Sequence, residues 1–134
     1  MDKLAEDYLK RAKIRLEALK FLYEKNDYPD VVREAQEVVE LALKALLREI
    51  GVEVPKIHDV GKVLIKYKNL LPSVVEQNAE KIAAISKRLR KEGELSFYGA
   101  EDFIPLEEYT AEDALQAIED AEFVVKTISK VFES

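Results

Sequence analysis

The stretch "DYPDVVREAQEVVELALKALLREIG", residues 27–51, constrains the fold more than any other part of this chain. Val32, Ala35, Val39, Ala42, Leu46 and Ile50 recur at steps of three and four, the spacing that puts side chains on one face of an α-helix. Val31, Val38, Leu43 and Leu47 widen that face well beyond a coiled-coil seam. A helix apolar over so much of its circumference must touch several neighbours, so a helix over 28–50 is expected at the centre of the fold. Pro29 suits its first turn, where a missing N–H costs nothing, and Gly51 suits its C-terminal stop.

The same periodicity recurs elsewhere. Ala5, Tyr8, Ala12, Leu16, Leu19 and Leu22 predict a helix over about 2–25, capped by Asp2 and ended by "KNDYPD". A short helix is expected over 58–69, with Val60, Val63, Leu64 and Tyr67. Another is expected over 72–92, opened by Pro72, carrying Val75, Asn78, Ile82, Ile85 and Leu89, and stopped by Gly93. Residues 94–109, with little periodicity, read as an ordered loop that is either packed down by its aromatics or functional. The last helix is 111–132, with Thr110 and Asp113 forming a capping box. No stretch alternates at period two. The expected fold class is therefore all-α, an antiparallel up-and-down bundle of four long helices plus one short helix, in one domain spanning 1–134.

Composition excludes several function classes. The chain has no Cys, which removes disulfides, thiol nucleophiles and zinc–thiolate clusters. No His and carboxylate set has metal-ligand spacing, no Gly-rich phosphate loop appears, and no cofactor is expected. No apolar run reaches the roughly 18 residues that cross a bilayer, so a soluble, cytoplasmic protein is expected. Charged residues make up 36% of the chain, rich in Glu and Lys, a balance that leans towards a thermophilic source. The net charge of −6 argues against general DNA binding, but it is unevenly spread. Residues 1–25 carry +2, 26–55 carry −4, 56–93 carry +5 and 94–134 carry −9, so a nucleotide surface should draw on the first and third segments.

The stretch "DVVREAQEVVELALKALLREIGVEVPKIHDVGKVL" resembles the HEPN domain family, through Ala35, Gln36, Glu40, Lys44, Ala45, Leu46 and Leu47, then Gly51 and the pair His58-Asp59. The resemblance resumes at Tyr98, Pro105, Tyr109, Thr110, Asp113 and Ala114 and covers about residues 4–130. It implies a prokaryotic-type helical bundle that often forms homodimers. It also implies one of two roles: a ribonuclease, often the toxin of a toxin–antitoxin pair, or a non-cleaving companion of a minimal nucleotidyltransferase that binds nucleotide or partner. The nuclease relatives carry an Arg and a His separated by four to six residues. Here the nearest Arg before His58 is Arg48, with nine residues between, and no His follows Arg88 or Arg90. The leading expectation is thus a non-catalytic nucleotide- or partner-binding protein of a toxin–antitoxin or defence system. The alternatives are a metal-independent ribonuclease acting on RNA through His58, and a structural dimerisation scaffold.

Certain residues could carry such roles. His58 beside Asp59 has the form of a general base with its orienting carboxylate, but neighbours on a helix point about 100° apart. The pair reads more simply as a helix start, with either residue capping. "SKRLRK" at 86–91 could bind phosphate through Lys87, Arg88 and Lys91 on one side, with Arg90 a further candidate on another face; the simpler account is cations favoured at a helix C-terminus. Tyr98 and Tyr109 could stack on a base or close the bundle end, as could Phe97 and Phe103. Lys44 sits one turn after Glu40 in the favourable order for an ion pair. Asn78, on an apolar stripe, could fix helix register or meet a ligand.

Overall fold

The computed structural model describes residues 2–54, 56 and 59–133, with 97 and 98 described as backbone only. Helix α1 runs over Lys3–Glu24, and Asp2 caps it by accepting the Ala5 N–H at 2.9 Å. The chain then turns in three residues. Asn26 takes a left-handed conformation (φ 62°), and the Asn26 and Asp27 N–H groups close back on the Tyr23 and Leu22 carbonyls, each at 3.0 Å. Asp27 simultaneously caps helix α2, Tyr28–Glu49, by accepting the Asp30 N–H at 3.4 Å. So short a joint forces α1 and α2 side by side and antiparallel.

Helix α2 is the central element, as its wide apolar face predicts. It packs against α1, and against helices α5 (Ala79–Tyr98) and α7 (Ala111–Phe132), while α1 also meets α7. Leu43, Leu46 and Leu47 are fully buried. Truncating one such leucine to Ala typically costs about 2–5 kcal/mol, lost transfer energy plus a cavity. The α2 terminus closes as expected on Gly51 (φ 82°): the Gly51 N–H reaches the Arg48 carbonyl and the Val52 N–H that of Leu47. In α1 the inward face is Ala5, Leu9, Ala12 and Leu19, with Leu16 and Leu22 only partly buried. Leu9 takes a core place that the stripe read from the sequence left out.

The middle of the chain departs from expectation. The short helix α3 covers Val60–Lys66 and is followed by a 3₁₀ turn, Lys68–Leu70. The helix expected over 72–92 is two helices, α4 (Ser73–Glu76) and α5. Asn78 marks the break: its side-chain amide donates to the Val74 carbonyl at 2.9 Å, offering the backbone a local alternative to the helical ladder. Gly93 does not end α5, which runs on to Tyr98 before Gly99 (φ 70°) stops it. A Cβ at Gly93 would lie 2.0 Å from Oε1 of Gln36 on α2. This glycine is there for close approach of two helices, so the stop signal it carries in the sequence is overridden.

Residues 99–110 are accordingly shorter as a loop than expected. Ala100 and Phe103 pair their backbones across a tight turn, and helix α6 (Pro105–Glu108) adds one turn. The capping box at the start of α7 is present: the Asp113 N–H donates to Thr110 Oγ1 at 3.1 Å, and the Thr110 N–H to Asp113 Oδ2 at 2.8 Å. The architecture is an antiparallel all-α bundle of four long helices with short helices between them.

Candidate functional site

Helix α5 carries the basic run, and its geometry divides those cations between two clefts. Arg88 and Arg90 are two residues apart, hence about 200° apart around the helix axis. Arg90 faces α3, where its Nη1 lies 3.6 Å from Asp59 Oδ2. Arg88 faces α7 and ion-pairs with Asp120. The six expected binding residues therefore do not form one site.

The first cleft lies between α2, α3 and α5. It is a polar cavity of about 140 Å³ lined by Glu40, Lys44, Lys56, Asp59, Val60, Ser86 and Arg90. Each of its two carboxylates is already held. Glu40 accepts from Gln36 Nε2 at 3.1 Å rather than from Lys44, and Gln36 in turn accepts from Arg33 at 2.7 Å. Asp59 caps α3 by accepting the Gly61 N–H at 3.0 Å and faces Arg90. Lys44, half-buried on the central helix, has no ion-pair partner among the described residues. A broader depression of about 820 Å³ adjoins through Lys44 and Lys56, with Tyr8, Arg48 and Val54 in its walls. Lys87 lines a separate shallow groove on the outer side of α3, with Gly61, Ile65 and Ala83. His58 lies outside the described residues, between Lys56 and Asp59 in sequence, and so does any account of its geometry.

The second cleft, about 470 Å³, lies where α5, α6 and α7 meet the start of α2 and holds Arg88 and Tyr109. Tyr109 is buried, packs edge-on against Phe103 at 6.1 Å, and its hydroxyl lies 3.1 Å from both the Glu92 carbonyl and Glu92 Oε2. Burial, and then the Glu92 carboxylate, push the Tyr109 phenol well above its ordinary value, so it stays a neutral donor. Asp120 accepts from both Arg88 and Gln116. Tyr98 ends α5 at the same end of the bundle, but its side chain lies outside the described residues. Among the described residues no group of three or more His, Cys, Asp or Glu is placed to hold a metal, and no helix is long and apolar enough to cross a membrane.

The sequence missed Lys56 and Asp120 as site residues. Lys56 sits in a connection without periodicity, and Asp120 lies beside the inward face of α7, where its long-range partner Arg88 is 32 positions away.

The chain is an all-helical bundle whose central helix is flanked by two clefts, one gathering Lys44, Lys56 and Arg90 and the other mainly carboxylates. The chain belongs to the HEPN domain family, whose model matches residues 5–131. It is 33% identical over 135 aligned positions to Putative toxin MJ1304 of Methanocaldococcus jannaschii, covering 94% of this chain and 86% of that protein. Its fold matches the crystal structure of TT1696 from Thermus thermophilus with a TM-score of 0.76, at 24% identity, over 96% of this chain and 98% of the other. It matches ST0689, an archaeal HEPN homologue, with a TM-score of 0.67, also at 24% identity, over 98% and 100% of the two chains.

Proposed function

We propose that this protein is a non-catalytic HEPN domain that binds the phosphates of a nucleotide in the cleft between α2, α3 and α5, and that it works as a homodimer beside a minimal nucleotidyltransferase. The observation that carries this reading is the convergence of Lys44, Lys56 and Arg90, from three separate parts of the chain, on one polar cavity. The cavity is too small for a whole nucleotide by the usual range of about 300–1,000 Å³ but suits a phosphate chain. The adjoining depression has room for sugar and base, with Tyr8 as a surface for stacking. Glu40 and Asp59 are occupied by Gln36, Gly61 and Arg90, which limits their repulsion of an anion.

Calorimetric titration with ATP, GTP and AMP, each with and without Mg²⁺, tests the proposal. Binding is expected, weakened about tenfold or more by Lys44→Ala or Arg90→Ala, the loss of one charge-assisted contact in a partly desolvated site. Absence of heat with every nucleotide, together with no capture of a nucleotidyltransferase encoded next door, would overturn it.

The name of the M. jannaschii relative supports a toxin role, and the second reading for this chain is a toxin that cleaves RNA without metal through His58. The departure from the Arg–His spacing stands against it. Cleavage by wild type that His58→Ala abolishes, with the helical circular dichroism unchanged, would establish the nuclease in its place.

A further inference from the structure

The cleft at the α5–α6–α7 end is unlike the first in both shape and charge. Its walls are apolar, with Val32, Leu89, Leu95, Phe103, Tyr109 and Ala117. Its charged groups are four carboxylates, from Glu92, Glu108, Asp113 and Asp120, against the single cation Arg88, which Asp120 already engages. An anion entering there would meet a net charge of −3. Two large apolar side chains are exposed at this end: Leu95, 47% exposed, on the cavity wall, and Leu106, 66% exposed, on α6 between the wall residues Phe103 and Glu108 in sequence. Large exposed apolar side chains gathered next to carboxylates are the features of a recognition surface more than of a solvated bundle end.

We propose that this cleft docks a basic, amphipathic segment of a partner protein, one apolar side chain entering between Leu89, Leu95 and Phe103 while flanking lysines or arginines meet Glu108 and the second carboxylate oxygens of Glu92 and Asp113, whose Oε2 and Oδ2 already accept from Tyr109 and Thr110. Charge complementarity selects this occupant. A purely apolar segment would leave the carboxylates unmatched, and a small polycation would leave the apolar walls uncovered. A second copy centred on this cleft would bring the acidic rim against itself, since residues on a twofold axis meet their own copies. The site is separate from the phosphate cleft, on the opposite side of α5, and does not depend on it.

Fluorescence anisotropy with a labelled peptide KKFLKK at 50 mM salt tests the proposal, with EEFLEE and KKGSKK as controls. KKFLKK is expected to bind at least tenfold more tightly than either control, since burying one large apolar side chain is worth about a factor of ten or more. Leu95→Ser should weaken KKFLKK about tenfold, and Glu108→Gln about fivefold. Glu119→Gln, an equal change of charge outside the cleft, should have no such effect. Leu95 and Glu108 are both exposed, so these variants keep the core intact. Equal binding of KKFLKK and KKGSKK, or displacement of KKFLKK by an equal concentration of spermidine, would overturn the proposal in favour of a simple polycation surface. Conversion of a dimer to a monomer by Leu95→Ser in sedimentation would overturn it in favour of self-association.

Discussion

Asp30 shows how one side chain can be set against the fold that holds it. Asp27 is committed to capping α2, and Asp30 sits one turn inside the same helix start. A hydrogen bond with Asp27, then burial, then repulsion by Asp27 and Glu34 push the Asp30 carboxyl up to about 6 from an ordinary 3.8. Between those values the folded chain holds a proton that the unfolded chain has released, so stability falls as pH rises through that window. The penalty is fully present above the folded value and absent below the unfolded one. Asp30→Asn should therefore stabilise the protein at pH 7, by about 1 kcal/mol once solvent screening is allowed for, and change nothing near pH 3. Urea unfolding at the two pH values checks it; an equal gain at both would show that charge is not the cause. At this same scale the sequence told only half the story. It showed that Arg88 and Arg90 must face different ways, because residues two apart on a helix lie about 200° apart around its axis. It could not show that one meets Asp120 and the other Asp59, since those partners lie 32 and 31 positions away.

Among the elements, α5 is the most instructive, because its glycine contradicts its helical continuity. Gly93 lets Gln36 of α2 lie against the α5 backbone, and Gln36 is 7% exposed and fixed between Arg33 and Glu40. Glycine costs about 1 kcal/mol relative to alanine in a helix interior, yet alanine here would displace Gln36 and disturb two partly buried hydrogen bonds. Gly93→Ala is expected to lower stability by about 1 kcal/mol alone, and to raise it when Gln36→Ala has already cleared the space. A double-mutant cycle by thermal or urea unfolding measures the coupling; strictly additive effects would deny the contact its role. This explains why periodicity found the long helices but misjudged the end of one. Helical spacing is local and survives in the sequence, whereas the licence to pass through Gly93, or to break at Asn78, comes from another helix or from a side-chain hydrogen bond. The caps fared better, because Asp2, Thr110 and Asp113 act on backbone within a turn of themselves.

On the scale of the whole molecule, α2 acts as a partition. One side of the α2–α5 seam gathers Lys44, Lys56 and Arg90, and the other gathers the carboxylates of α5, α6 and α7. The uneven charge along the chain, +5 over 56–93 and −9 over 94–134, thus becomes an uneven charge across space. The joint between α1 and α2 adds a dimension of time. Asp27 gives its N–H to the end of one helix and its carboxylate to the start of the next, so two helices of 22 residues each are aligned by a turn of three. Closing so short a loop costs little chain entropy, whereas α7 must return to α2 across more than 60 intervening residues. The α1–α2 hairpin should therefore assemble first and serve as the template on which the C-terminal helix lands. Pulse-labelled hydrogen exchange during refolding would show α1 and α2 amides protected before those of α7; simultaneous protection would mean that the turn sets direction but not order. A residue that in the finished structure merely joins two helices would then also decide which part of the protein exists first.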